Sequence, residues 1–365
     1  MTQKQAFEIL LAGHNVYLTG QGGSGKTFLL NQFIAYLKEN KIPVAITAST
    51  GIAATHIGGM TIHAWSGIGI DDRLDKPVIK RILNNDDTVD RIKNTKVLII
   101  DEISMFHCYR LDMVNEVCKM IRENNAPFGG IQVILCGDFF QLPPVTDANH
   151  ERSCFAFKAA AWEELNLRVC YLDEQHRQLD ESFLKVLNDI RTCDVSDVTV
   201  ERIMGRLNKE IFNKITPTRL YTHNIDVDTL NNLELSKIKR PEHRYEMKAK
   251  GIRKLVEILR KSCLAPEDFV VKEGAAVMFV KNNFAKGYVN GTLGSVIDFS
   301  EDGFPVVETF DGNVIEASPQ AWLLEDGDKI LAQVEQVPLR LAWAITVHKS
   351  QGMTLDAAVI DLSRS

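Results

Sequence analysis

The stretch GQGGSGKT, Gly20–Thr27, has the residue types and spacing to hold the phosphates of a nucleotide. Gly20, Gly22, Gly23 and Gly25, with Ser24 among them, let backbone N–H groups close around phosphate oxygens where a Cβ would intrude. Lys26 is placed to reach the β- and γ-phosphates of ATP, and the Thr27 hydroxyl to bind Mg²⁺. The spacing alone has false positives. Here an apolar strand pattern precedes it and a helical pattern follows, which is the context the chemistry needs. A second stretch, VLIIDE at Val97–Glu102, is an apolar run ending in two carboxylates. Asp101 suits the Mg²⁺ and Glu102 suits a general base acting on the attacking water. These residues alone point to a nucleotide hydrolase, with a small-molecule kinase as the alternative.

The elements that must position these groups follow a pattern. NVYLT (15–19), PVAIT (43–47), VLII (97–100) and IQVILC (131–136) read as buried strands, and Phe28, Leu29, Phe33, Ile34 and Leu37 recur at helical spacing. Strands alternating with helices predict a parallel sheet covered on both faces. A second α/β region is expected from about Val169, with strands in TRLYTHN (218–224) and AAVIDL (357–362). Between them GAAVMFVKNN, GTLGSVIDF, PVVETF and NVIEA are short, β-rich and punctuated by glycine turns. The expected fold class is therefore α/β: a P-loop NTPase with two RecA-like parallel-sheet domains and a small β-barrel inserted in the second. The expected segments are 1–168, 169–235, 236–334 (the insertion) and 335–365.

Composition narrows the class without fixing it. The chain has 365 residues, 45% hydrophobic and 25% charged, as in a soluble globular protein of two or three domains. No apolar run is long enough to span a membrane, and the first residues lack the pattern of a signal peptide. Seven scattered cysteines, with no Cys-x-x-Cys pair, predict a reducing, intracellular setting without disulfides or structural zinc. That setting is the cytoplasm of a bacterial or phage-like system, or the nucleus or mitochondrion of a eukaryote. Net charge is −6, yet Ser236–Lys261 holds ten Lys/Arg against three Asp/Glu, a local +7. Such a segment can track phosphates. Ile252, Leu255, Val256 and Leu259 equally fit a solvated helix with one apolar stripe.

Longer stretches carry a specific resemblance. ASTGIAATHIGGMTIHAWSGIG (48–69), PFGGIQVILCGDFFQLPPV (127–145), LAWAITVHKSQGMTLD (341–356) and the signature-like DEISMFHCYRLDMVNEVCKMIR (101–122) resemble motifs of the Pif-one helicases, superfamily 1B enzymes related to the RecD helicases. The resemblance runs from about Gln3 to the last residue and implies an ATP-dependent, 5′-to-3′ DNA helicase on single strands, acting on duplex and G-quadruplex DNA. The family serves repair, recombination and replication or telomere maintenance.

By that resemblance Gln3 reads the adenine edge, with Gln5 as alternative. Gln141 senses the γ-phosphate. Arg177 reaches the transferred phosphoryl group from the second motor domain. Strand contacts are expected from Thr50, His63, Ser66, Phe139, Pro143 and Pro144, from Thr222, His223 and Asn224, and from Thr346, His348, Lys349 and Ser350. Single-strand motors need such phosphate donors and flat surfaces, although turn and cap chemistry also explains the short polar residues. Trp65 and Trp343 either stack on bases or belong to the core. VNGTLGSV (289–296) matches the family's small barrel of the Src-homology-three type.

The implied partners are single-stranded and forked duplex DNA, bound by a monomer without membrane attachment. In the family a further Ser-Arg motif follows the HKSQG region. Arg364 comes too early to supply it, so a second arginine finger is expected to be missing from this chain. Rival readings are a DNA-binding module impaired in hydrolysis and a RecD-like subunit of a nuclease complex.

Overall fold

The computed structural model describes residues 1–69, 71–144, 154–174, 180–209, 216–221, 227–326 and 329–360. The chain divides into two units, Met1–Asn208 and Lys209–Ser365.

In the first unit six strands form one parallel sheet: β1 (Val16–Gly20), β2 (Val44–Ala48), β3 (Met60–Thr61), β4 (Val97–Asp101), β5 (Gln132–Cys136) and β6 (Arg168–Leu172), in the order β3-β2-β4-β5-β1-β6. Successive side chains of a strand face opposite ways. Accordingly Val16, Leu18, Val97, Ile99, Ile134 and Cys136 enter one core, with Leu29, Leu30, Phe33 and Leu37 of the helix Lys26–Glu39. Their neighbours Tyr17, Leu98, Ile100, Val133 and Leu135 enter the other, with Trp65, Phe106, Leu111 and Val114. Burial on both faces explains why these strands read as continuous apolar runs.

The sequence places the start of the second region at Val169. The structure places β6 instead along β1, pairing Val16 with Arg168 through Gly20 with Leu172. The first unit continues through the helices Glu181–Thr192 and Asp197–Met204. The first compact unit thus extends past the expected 168/169 boundary to Asn208. An apolar run such as VCYL cannot reveal which sheet it joins.

The second unit contains a three-stranded parallel sheet of β7 (Thr218–Tyr221), β18 (Ala344–Thr346) and β19 (Ala358–Ile360), ordered β18-β7-β19. Between β7 and β18 lie β8 (His243–Glu246), β9 (Lys248–Gly251), β10 (Asp268–Val271), β11 (Ala276–Phe279), β12 (Leu293–Phe299) and β13 (Pro305–Thr309). They are followed by β14 (Val314–Glu316), β15 (Gln320–Asp326), β16 (Lys329–Gln336) and β17 (Leu339–Leu341). The β-rich insertion takes the form of antiparallel sheets of five (β14-β13-β12-β11-β17), three (β15-β16-β9) and two strands (β10-β8). Because β17 pairs with β11, the insertion runs past the expected boundary at 334 to Leu341.

The basic segment holds two strands, β8 and β9, and most of one helix, with Ile252 exposed at that helix's N-cap. Leu259 of the helix Arg253–Ser262 is buried, and Arg240, Arg244, Arg253 and Arg260 pair with Glu273, Asp268, Glu257 and Glu267. The cysteine expectation is overturned: Cys108 and Cys154 form a disulfide. They are 46 residues apart, a pairing no spacing rule signals. Among the described residues no helix is long and apolar enough to cross a membrane.

Trp65 is 1% exposed and lies in the core, and Trp343 packs half-buried against the second unit's core. Trp65→Ala should therefore lower unfolding stability by about 3–5 kcal/mol. Urea denaturation checks this, and a loss below about 1 kcal/mol would remove Trp65 from the core.

Candidate functional site

The loop Gly20–Gly25 links the end of β1 to the helix Lys26–Glu39. At Gly20 (φ +149°) a Cβ would lie 2.5 Å from the Leu172 carbonyl oxygen, so only glycine fits there. Gly23 and Gly25 have φ of +87° and +85°, the left-handed region that glycine enters without penalty. A Cβ at Gly22 would meet open space. Gly25 is the N-cap, and among the described residues no side chain caps the helix. The first-turn N–H groups and the helix dipole are thus left to an anion.

Lys26 turns back over the loop, its Nζ donating to the carbonyls of Gly20 (2.8 Å) and Gln21 (3.0 Å). Thr27 is exposed at the helix start. Ser24 is buried, and its Oγ has no hydrogen-bond partner among the described residues.

Parallel pairing brings Asp101, at the end of β4, level with Ala48. Its Oδ1 accepts from the Glu102 N–H at 2.9 Å, and the Cys136 thiol also donates to it. Burial pushes the Asp101 carboxyl up, while these hydrogen bonds and the nearby Lys26 pull it down. A buried carboxylate beside an anion-binding loop suits a divalent cation. Mg²⁺ bound with phosphates asks the protein for only one or two such ligands, and Thr27 and Asp101 fit that need. Glu102 is half-buried in the left-handed conformation (φ 52°, ψ 45°), uncommon for a non-glycine residue. Ser49 ties the end of β2 to the same place, through N to the Asp101 carbonyl (3.0 Å) and Oγ to the Glu102 carbonyl (2.7 Å).

The loop after β5 carries Gln141. Its N–H donates to the Asp138 carbonyl at 2.9 Å. A Cβ at Gly137 would lie 3.0 Å from Ile103 N, so the loops after β4 and β5 approach closely. Gln3 lies half-buried at the start of the helix Gln3–Leu11. The Gln5 side chain accepts from Thr2 N–H at 3.0 Å in a capping box.

The strand-contact residues divide. Thr50 is half-buried and its Oγ1 accepts from Ala53 N–H, a helix cap. Pro143 is exposed. Ser66 is a correction: it is 0% exposed, with Oγ donating to the Ile62 carbonyl one turn back. Phe139 is another, since its ring packs inward against Tyr17, Phe155, Phe157 and Trp162. The exposed ring of that pair is Phe140, at 71%. Two adjacent aromatics give no sequence signal of which one turns out.

His63 is half-buried. Its Nε2 faces Arg110 Nη1 at 3.1 Å, and Arg110 in turn pairs with Asp72 at 2.9 Å. An arginine only donates, so this His63 nitrogen accepts and the ring is neutral. Burial, then the positive charge of Arg110, lowers its pKa to about 4.

Arg177, Thr222, His223 and Asn224 lie outside the described residues. In the second unit Thr346 caps the short helix Val347–Ser350, accepting from Lys349 N–H. Ser350 Oγ donates to the Val347 carbonyl, and His348 is exposed. Lys349 faces Asp228 at 3.9 Å. Asn290 and Gly291 form a turn, where a Cβ at Gly291 (φ +99°) would lie 2.5 Å from the Thr354 carbonyl oxygen.

Comparisons with known proteins show the family. The family model "PIF1-like helicase" matches residues 2–201, and that for "DNA helicase Pif1, 2B domain" matches 254–299. The chain is 41% identical to the ATP-dependent DNA helicase Pif1 of a Psychrobacter species, across all of this chain and 64% of that protein. The structure is similar to Bacteroides Pif1 in complex with ADP-AlF4, with TM-score 0.84, 30% identity and coverage of 99% of this chain and 86% of that one. It is also similar to Bacteroides Pif1 bound to single-stranded DNA, with TM-score 0.64, 30% identity and coverage of 100% and 86%. The chain spans just under two thirds of the length of the Psychrobacter relative.

His63 gives a pH test. Its folded pKa, about 4, lies below the ordinary histidine value of about 6.5, so between these the unfolded chain binds a proton that the fold refuses. Stability should fall as pH drops through that window. His63→Gln should flatten the fall in the urea midpoint, and an unchanged slope would show that His63 is not held neutral.

Proposed function

The chain belongs to the PIF1-like helicase family, and on that premise we propose that it is an ATP-dependent DNA helicase that translocates on single-stranded DNA. The observation that carries the reading is the Lys26 ammonium, folded over the glycine loop at the start of its helix with Asp101 close by. Phosphates entering the loop would replace the carbonyls of Gly20 and Gln21 as the partners of Lys26.

Thr27 and Asp101 would hold Mg²⁺, which supplies positive charge against the β- and γ-oxygens. Glu102 would take the proton of the attacking water. Gln141 would face the γ-phosphate, Gln3 the adenine, and Arg177 the charge that develops on the transferred group. Thr50 and Pro143, with Thr222, His223, Asn224, Thr346, His348, Lys349 and Ser350, would meet the strand. The Bacteroides relative crystallised with single-stranded DNA supports that partner class. The same family basis extends the proposal to 5′-to-3′ movement, to forked duplex and G-quadruplex substrates, to a monomeric motor, and to repair, recombination or replication maintenance.

Lys26→Ala tests the site. Its hydrolysis should fall by about 10²–10³, the effect of removing one donor from a preorganised anion site. Binding of a fluorescent oligo-dT should persist. Wild-type turnover in the variant would refute the assignment. On tailed duplexes the wild type should displace strands from a 5′ tail and not from a 3′ tail, and the reverse pattern would overturn the polarity.

A further inference from the structure

The loop carrying Gln141 is built around a buried carboxylate. Asp138 is 2% exposed. Its Oδ1 accepts from the Phe140 N–H at 3.1 Å, and its backbone carbonyl accepts from the Gln141 N–H at 2.9 Å. The Gln141 amide nitrogen lies 3.5 Å from Oδ2. The carboxylate therefore shapes the turn from which Gln141 projects.

Its charge is met by one residue far along the chain. Arg191 Nη1 donates to Oδ2 at 2.7 Å and Nη2 to Oδ1 at 2.9 Å, a two-pronged pair that lysine cannot reproduce. The same guanidinium lies 4.2 Å from the centroid of the Phe140 ring and pins that exposed side chain.

Arg191 stands in the last turn of the helix Glu181–Thr192. Three residues earlier, on the same helix face, is Asn188. Its Oδ1 accepts from the side-chain amide of Gln21, the second residue of the phosphate loop, whose carbonyl also receives Lys26 Nζ. The helix is itself anchored. Asp189 accepts from Lys185, Ser196 and Thr199, and those hydrogen bonds hold its carboxyl well below the usual range. One face of one anchored helix thus grips both nucleotide-facing loops.

We propose that this helix sets the P-loop and the Gln141 loop in register, with Arg191 and Asn188 as positioning residues for the step that couples hydrolysis to DNA. The inference rests on the reading of Gln141 as the residue that faces the γ-phosphate. Neither residue touches the nucleotide in this scheme, so their loss should act on turnover and coupling rather than on ATP binding.

The test is steady-state ATP hydrolysis by Arg191→Lys, Arg191→Met and Asn188→Ala, with and without oligo-dT, with thermal unfolding recorded for each. Asn188 is exposed, so Asn188→Ala should fold even if Arg191→Met does not. The DNA-stimulated kcat should drop about 3- to 30-fold, the range for residues along a connected coupling network. The KM for ATP should stay within about twofold, the signature of an interaction used in turnover and not in ground-state binding. Arg191→Lys should retain more activity than Arg191→Met.

Asp138→Asn combined with Arg191→Met should be no worse than the more damaged single variant. Wild-type stimulation ratios in Arg191→Lys and Asn188→Ala would overturn the proposal, as would losses confined to KM. If the wild type itself shows no DNA stimulation, the functional reading fails first. If the wild type is stimulated and the variants match it, only this inference fails.

Discussion

Parallel pairing in the first sheet is the constraint on which the site depends. In a parallel sheet the carboxyl ends of all strands lie on one edge, and loops leaving that edge meet the ligand. Register sets the details. Val16 of β1 stands beside Ile134 of β5, and Ile99 of β4 beside Ile134 on its other side. The phosphate loop, the Asp101–Glu102 pair and the Gln141 loop therefore emerge from three strands that are neighbours in the sheet though widely separated in sequence. Two apolar cores hold that register, since a slip of one residue would exchange every side chain between them.

On that edge the charges are arranged economically. Lys26 lies close to Asp101, and Arg191 fully engages Asp138. Removing one partner of a buried pair leaves an uncompensated charge, typically at a cost of about 3–5 kcal/mol. Asp138 differs from Asp101 in that both of its oxygens accept from one guanidinium, that of Arg191. That is why Asp138 is assigned to holding the loop and Asp101 to the cation.

Much of this was legible in the residues. The glycine loop announces itself because its geometry at Gly20, Gly23 and Gly25 favours glycine, and short apolar runs located β1, β2, β4 and β5 to within a residue or so. Three kinds of fact were not legible. Which of two adjacent residues turns inward depends on tertiary packing, as with Phe139 against Phe140 and with Ser66. Which sheet an apolar run joins depends on partners distant in sequence, as with β6 and β17. The Arg191–Asp138 pair and the Cys108–Cys154 disulfide link residues 53 and 46 positions apart, with no local pattern to mark either. An acidic residue next to the aromatic pair was the one available hint of the first.

In the proposed function the phosphate loop drives movement along a DNA strand. Steady-state ATP hydrolysis with and without oligo-dT, at two salt concentrations, tests it most directly. Stimulation should be strong and should weaken steeply between roughly 50 and 200 mM salt, because phosphate contacts release counterions. Hydrolysis that is indifferent to DNA at both concentrations, with the strand still bound, would contradict it.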